Sequence, residues 1–116
     1  MQAYQGSCHC GAIKFSFEAE PITSGVRCNC SFCSKRGTLV RLVPGEKFRS
    51  EVKEGALGTY QWGRMQAKHH FCKVCGISTH SETTRWPGQY IVNLGCVEGV
   101  DTLALPVTVF DGRHLL

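Results

Sequence analysis

The chain has 116 residues, the size of one domain, and its 42% of hydrophobic and 19% of charged residues exclude a disordered polypeptide. The formal net charge is +4, a small excess for a chain of this length. Lysine and arginine form no run longer than Lys35-Arg36. The charge and its distribution therefore disfavour a nucleic-acid partner.

The predicted elements are mostly strands. In residues 12–18, Ile13, Phe15 and Phe17 alternate with polar residues, which is the period of a half-buried strand. Three further runs rich in apolar and β-branched residues predict strands at Thr38 to Val43, Gln89 to Leu94 and Leu103 to Phe110. We therefore expect a mainly β fold in a single domain spanning residues 1–116.

One short helical turn is predicted from Ser31 to Arg36. Ser31 is a residue type that caps helices, and Gly37 is suited to end one. No segment keeps a 3.6-residue apolar period long enough for a longer helix.

The N-terminal sequence lacks the basic flank and apolar run of a secretory signal, and the apolar stretch from Thr102 to Phe110 is too short to span a membrane. We therefore expect a soluble protein in the cytoplasm, without a membrane partner. Thiols stay reduced there, so many cysteines in a small chain favour a metal protein over a disulfide scaffold. Disulfides and an iron–sulfur cluster remain the alternatives.

Seven of the eight cysteines form three clusters, and Cys96 stands alone. The clustered residues are Cys8 and Cys10, then Cys28, Cys30 and Cys33, then Cys72 and Cys75. These spacings allow sulfurs to lie about 3.8 Å apart, as tetrahedral zinc requires. The outer two pairs make a closed four-thiolate set, which is typical of structural zinc. The middle three leave one position open, which is typical of catalytic zinc. We therefore predict two zinc ions per chain.

A weak internal repeat supports the first site. Cys10-Gly11 and Cys75-Gly76 each precede a strand, and a glycine with positive φ lets the backbone turn toward a metal-bound sulfur. For the second site an alternative stays open. His9, His69 or His70 could supply a fourth ligand and make this zinc structural as well.

The three cysteine clusters, with Gly11 and Gly76, resemble those of the glutathione-dependent formaldehyde-activating enzyme family, which includes centromere protein V. The closing segments Val92-Asn93-Leu94 and 110–113 resemble its last strands. The resemblance spans nearly the whole chain. It implies an Mss4-like, zinc-stapled β-sandwich.

The resemblance also implies how the cysteines divide. Cys8, Cys10, Cys72 and Cys75 match the family's structural zinc site, and Cys28, Cys30 and Cys33 match its catalytic site. The implied activity is that of a carbon–sulfur lyase that condenses formaldehyde with glutathione to S-hydroxymethylglutathione. The expected substrates are a small thiol and an aldehyde. The alternative is a non-catalytic zinc module that binds protein or nucleic acid, with both metals structural.

Other residues carry weaker signals. The pair Lys35-Arg36 could meet a substrate carboxylate, but solvated surface is the commoner role. A strand through His69-His70 would place one ring on each face, the inner one as a hydrogen-bonded core histidine. Cys96 is expected to be a small buried hydrophobe. Trp62 and Trp86 are expected to anchor the core rather than line a pocket.

Overall fold

The computed structural model describes residues 1–115, which form ten strands, two short α-helices and one turn of 3-10 helix. In chain order these elements are β1 (Gln2–Ser7), β2 (Ile13–Ala19), β3 (Gly25–Cys28), α1 (Ser31–Arg36), β4 (Val40–Pro44), β5 (Arg49–Val52), β6 (Leu57–Tyr60), β7 (Ala67–Cys72), β8 (Ser78–Thr83), β9 (Gln89–Asn93), the 3-10 turn (Leu94–Cys96), β10 (Val107–Phe110) and α2 (Gly112–Leu115).

The strands form two sheets. The smaller has the order β1-β2-β5, and the larger has the order β10-β3-β4-β9-β8-β7-β6. Neighbouring strands are antiparallel except β10, which pairs parallel with β3. The two sheets pack around one main core, which confirms the mainly β sandwich expected from the sequence. Within residues 1–115 no helix has the length and apolar character needed to cross a membrane.

Strand β2 supplies most of the smaller sheet's buried side chains. Ile13, Phe15 and Phe17 are buried as the alternation predicts, and Lys14 between them is exposed. Burying each such side chain stabilises the fold by roughly 1.5–3 kcal/mol. The core consists of Phe15, Phe17, Ala19, Leu39, Val43, Phe48, Val92, Leu94 and Val97. The predicted strand at residues 12–18 is therefore confirmed.

Helix α1 has the predicted bounds, and Gly37 ends it in the left-handed conformation with φ of 69°. The predicted cap was wrong. Cys30, not Ser31, is the N-cap, and its sulfur accepts a hydrogen bond from the Cys33 amide at 3.3 Å. A cysteine is an uncommon cap because sulfur accepts weakly.

Two strand predictions hold closely, since β4 and β9 lie within one or two residues of the expected bounds. The strand expected from Leu103 to Phe110 is wrong in its first half and begins at Val107. The Leu103 amide donates to the Asp101 carboxylate at 3.0 Å, which forms a local turn instead. Pro106, just before the strand, has no amide hydrogen to extend the ladder.

His80 is a buried titratable group in β8. It is 8% exposed, its ring lies 5.1 Å from that of Phe48, and its Nδ1 is 2.9 Å from the Thr79 hydroxyl. Burial, together with the neighbouring His70, lowers the pKa of His80 to about 4. The ring is therefore neutral in the folded protein at neutral pH.

We expect His80 to make the fold sensitive to acid. Its folded pKa lies below the unfolded value of about 6.5, so the unfolded chain binds the proton first as pH falls. The stability that the neutral His80 ring contributes is present above the unfolded pKa of about 6.5 and is lost as pH falls toward 4. His80→Asn keeps a polar group near Thr79 without a titratable ring. Between pH 7 and pH 5 the wild type should lose about 2 kcal/mol more stability than the variant in urea unfolding. Protons also compete with metal for the cysteine sulfurs, but this effect is the same in both proteins. Equal losses of stability in the wild type and the variant would therefore contradict the prediction.

Candidate functional site

Four cysteine sulfurs converge where β1 and β7 end. Those of Cys8, Cys10, Cys72 and Cys75 all lie within 4.8 Å of one another. The Cys10 sulfur is 3.7 Å from that of Cys8 and 3.7 Å from that of Cys72. Tetrahedral zinc with bonds of about 2.3 Å places sulfurs about 3.8 Å apart. The donor set and its spacing therefore fit a zinc ion.

The two halves of this cluster share one backbone arrangement. Gly11 and Gly76 have φ of +83° and +82°, which confirms the turns predicted from the internal repeat. The Cys8 amide donates to the carbonyl of Ile13 at 3.0 Å, and the Cys72 amide donates to that of Ile77 at 2.9 Å. Amides also approach the sulfurs. That of Ile13 lies 3.3 Å from Cys8 Sγ, and such hydrogen bonds stabilise thiolate ligands.

The four-cysteine cluster is part of a second, smaller core. Cys8 and Cys72 are 2% and 0% exposed and pack with Ala12, Ile13 and Ala56. Cys8 follows β1 of the smaller sheet, and Cys72 ends β7 of the larger one. The cluster therefore joins the two sheets.

The remaining clustered cysteines lie on one short segment. Cys28 ends β3, Cys30 caps α1, and Cys33 lies inside α1. Their three sulfurs also lie within 4.8 Å of one another, and the residues offer three soft ligands suited to zinc. Among the described residues, no histidine or carboxylate joins this group.

The candidate fourth ligands lie elsewhere. His70 is buried on the inner side of β7, with Nδ1 2.9 Å from the Thr59 hydroxyl and Nε2 3.8 Å from Glu82. It is the predicted hydrogen-bonded core histidine. His9 lies between two cysteines of the other cluster. His69 faces the three-cysteine side, and its Nδ1 is 3.0 Å from the Ser81 hydroxyl. Burial, together with the charge of Arg36, lowers the pKa of His69 to about 4, so this ring is neutral at pH 7.

The three-cysteine cluster opens on a cavity of about 1040 Å³. None of the other four clustered cysteines lines it. The cavity wall also contains Trp62, Trp86 and five arginines, namely Arg36, Arg41, Arg64, Arg85 and Arg113. Both tryptophans were expected in the core, and this was wrong. Trp62 is 37% exposed and packs toward Phe32, and Trp86 packs edge-on against Phe110.

Arg36 is not the solvated surface residue that its sequence position suggests. Its Nη2 lies 3.6 Å from the Cys33 sulfur, its Nη1 lies 3.5 Å from the Ser81 hydroxyl, and its guanidinium stacks over Phe32 at 4.8 Å. Its Nε is buried and has no hydrogen-bond partner among the described residues. Burial raises the pKa of Cys33 to about 12, and the Arg36 charge opposes this rise. Lys35, the neighbouring residue, is exposed.

Cys96 lies outside both clusters. It is partly buried against the main core, and its sulfur donates to the Ser78 carbonyl at 3.5 Å. Burial raises the pKa of Cys96 to about 11. This agrees with the expected role of a small, protonated packing residue.

The chain was compared with protein-family models and with solved structures. The model of the glutathione-dependent formaldehyde-activating enzyme family matches residues 3–112. The crystal structure of a Rhodobacter sphaeroides protein is 37% identical and superposes with a TM-score of 0.79. The match covers 90% of this chain and 99% of that chain.

We expect the two cysteine clusters to differ in what they support. Cys72→Ser should unfold the chain, because zinc binding contributes on the order of 10–16 kcal/mol in small modules and typical domains are stable by only about 5–15 kcal/mol. Cys30→Ser should keep the far-ultraviolet circular dichroism, since serine also caps helices and the three cysteines close only a short loop.

Elemental analysis of protein purified without chelator tests the same division. The wild type should contain two zinc ions per chain, and Cys30→Ser should contain one. Cys96→Ser is the matched control and should keep both ions and the fold. Equal unfolding of Cys72→Ser and Cys30→Ser would show that the division is wrong.

Proposed function

Because the chain belongs to the glutathione-dependent formaldehyde-activating enzyme family, we propose that it is a zinc-dependent carbon–sulfur lyase. Its reaction joins a small thiol, such as glutathione, to an aldehyde, such as formaldehyde. The observation that carries this proposal is the position of Cys28, Cys30 and Cys33 on the wall of the cavity. The proposed location is the cytoplasm, where thiols stay reduced, and all eight cysteines here are unpaired.

The seven clustered cysteines would hold two zinc ions with different roles. The four sulfurs of the four-cysteine cluster would complete a tetrahedron around one ion, as in structural sites. The three sulfurs on the cavity wall leave one position of a tetrahedron for substrate. Zinc bound there would ionise an incoming thiol and polarise an aldehyde carbonyl.

The ligand type favours thiol chemistry over hydrolysis. Three thiolates give a divalent ion a local charge of −1, which makes it a weaker Lewis acid than zinc held by three neutral histidines. Activation of water is disfavoured accordingly. A thiol is a soft ligand that suits such a site and that can still leave as a nucleophile.

The proposed reaction needs no oxidant or reductant. The thiol sulfur forms a bond to the aldehyde carbon while the carbonyl π bond breaks. The thiol proton ends on the former carbonyl oxygen, which gives an S-hydroxyalkyl product. In the opposite direction the same carbon–sulfur bond is broken, which is the lyase reaction.

The chain's own residues would act on charge and position. The Arg36 guanidinium lies beside the Cys33 sulfur and offsets the negative charge of the three thiolates. His69 is held by Ser81 and stacks on Phe32 with ring centroids 4.5 Å apart. Its pKa of about 4 makes it a weak base at pH 7, so deprotonation of the thiol does not depend on it.

A second candidate function is a non-catalytic zinc module. The arginines and tryptophans of the cavity favour it, because arginine and aromatic side chains together bind single-stranded nucleic acid. In that case no small thiol reaches the three-cysteine site. The following experiment separates the two functions.

Cobalt substitution should reveal thiol binding at the cavity. Thiolate ligands give cobalt intense charge-transfer bands, and a fourth ligand should change them. Titration with glutathione, cysteine and a simple alkyl thiol should shift these bands, and formaldehyde should be consumed when the thiol is present. Cys30→Ser should lose both responses, and Cys96→Ser should retain both. Unchanged bands with every thiol, together with no consumption of formaldehyde, would favour the non-catalytic module.

A further inference from the structure

The cavity beside the three cysteines concentrates positive charge. Its wall contains five arginines and no aspartate or glutamate among the described residues. The formal net charge of the whole chain is only +4. The arginines come from separate parts of the sequence, from α1 at one end to α2 at the other. The fold has therefore assembled a basic site that no run in the sequence indicates.

Three of these arginines already have partners. Arg36 contacts the Cys33 sulfur and the ring of Phe32. Arg41 donates from Nη1 to the carbonyl and hydroxyl of Ser24, both at 3.0 Å. Arg85 stacks over Trp86 at 5.3 Å. Their charges contribute to the field of the cavity, but their guanidinium groups are held by the protein.

The other two arginines, Arg64 and Arg113, differ. Neither guanidinium makes a hydrogen bond or ion pair within residues 1–115, and both residues are exposed. Each can therefore turn a full set of donors toward a ligand, and guanidinium binds carboxylate through two parallel hydrogen bonds.

Both arginines lie on segments that contact residues next to the three cysteines. The Arg113 amide donates at 2.9 Å to the side chain of Asn29, the residue between Cys28 and Cys30. Arg64 lies two residues after Trp62, whose ring centroid is 6.4 Å from that of Phe32, the residue before Cys33.

Asp111 and Glu82 each adjoin a wall residue in sequence, but neither lines the cavity. Asp111 accepts a hydrogen bond from Asn29 Nδ2 at 3.0 Å, and its other oxygen is 2.8 Å from His114 Nδ1. A positively charged group on a substrate would therefore meet five arginines and no carboxylate on the described wall of the cavity. Glutathione carries such a group, an ammonium, beside its two carboxylates.

We propose that this cavity is a dicarboxylate site and that its preferred thiol carries two carboxylates and no ammonium group, with Arg64 and Arg113 as the carboxylate ligands. The thiol part rests on the proposed function, since the sulfur would reach the zinc held by Cys28, Cys30 and Cys33. The cavity volume of about 1040 Å³ leaves room for such a thiol together with an aldehyde.

Intrinsic fluorescence gives a direct measurement of binding. The chain has two tryptophans, and both line the cavity, so their emission reports its occupancy. Zinc-loaded protein is titrated at fixed ionic strength with mercaptosuccinate, succinate, 2-mercaptoethanol, cysteamine and glutathione. Mercaptosuccinate should bind at least about tenfold more tightly than 2-mercaptoethanol or glutathione, since one charged hydrogen-bonded contact is worth about tenfold. Succinate should bind although it has no thiol, and cysteamine should bind most weakly.

Variants assign the effect to the two arginines. Arg64→Gln and Arg113→Gln should each weaken mercaptosuccinate binding by about tenfold and leave 2-mercaptoethanol binding unchanged. Arg49→Gln is the matched control. Arg49 lies on β5 of the smaller sheet, outside the cavity wall, and its loss should change neither affinity.

The outcomes separate this proposal from the proposed function. Equal affinity for mercaptosuccinate, 2-mercaptoethanol and glutathione would overturn the dicarboxylate site, even if thiols still shift the cobalt bands. Tight binding of succinate and mercaptosuccinate with unchanged cobalt bands would support the dicarboxylate site and contradict the thiol chemistry. Displacement of mercaptosuccinate by an equimolar thymidine oligonucleotide would also overturn it, in favour of a nucleic-acid surface.

Discussion

The convergence of four cysteine sulfurs between the two sheets is the constraint on which the remaining structure depends. Cys10 and Cys72 are 62 positions apart in sequence, and their sulfurs are 3.7 Å apart. Closing a loop of this length costs about 4 kcal/mol in chain entropy, which the bonds at the cluster must offset. Once closed, it fixes the end of β1 against the end of β7, and the phenylalanines of β2 then face β4 and β9. In a chain of this size the cluster supplements a modest core.

The two clusters illustrate a difference between long-range and local ligation. The four-cysteine cluster draws its sulfurs from the ends of strands in two sheets and from the turns that follow them, so its geometry and the tertiary structure depend on each other. The cluster at the cavity draws all three from residues 28–33, and the α1 amide at Cys33 positions the Cys30 sulfur. A local site can open one position to a substrate without loosening the fold. Under the proposed function, this separation would allow one small domain to hold a structural site and a reactive site.

The sequence predicted the features that depend on local pattern. The alternation around Phe15 gave β2, the glycine after Arg36 marked the end of α1, and the cysteine spacings predicted both sulfur clusters. Strands without a local signal were not predicted. All four residues of β5 are exposed, and β5 is placed only by its pairing with β2. The sequence pattern assigned the cap of α1 to Ser31, because serine is a commoner cap than cysteine. In the structure the cap is Cys30, whose sulfur lies beside those of the other two cysteines of its cluster.

The cavity could not be predicted for a related reason. Its arginines are brought together by the strand order of the larger sheet and by the return of β10 to β3, which no local pattern indicates. Five like charges in one cavity repel each other, and stacking and hydrogen bonds hold three of them in place. The guanidinium groups of Arg64 and Arg113 make no hydrogen bond or ion pair within the described residues. An anionic ligand in the proposed site would therefore remove repulsion as well as form contacts, so the charges that repel each other in the free protein would favour the ligand-bound state.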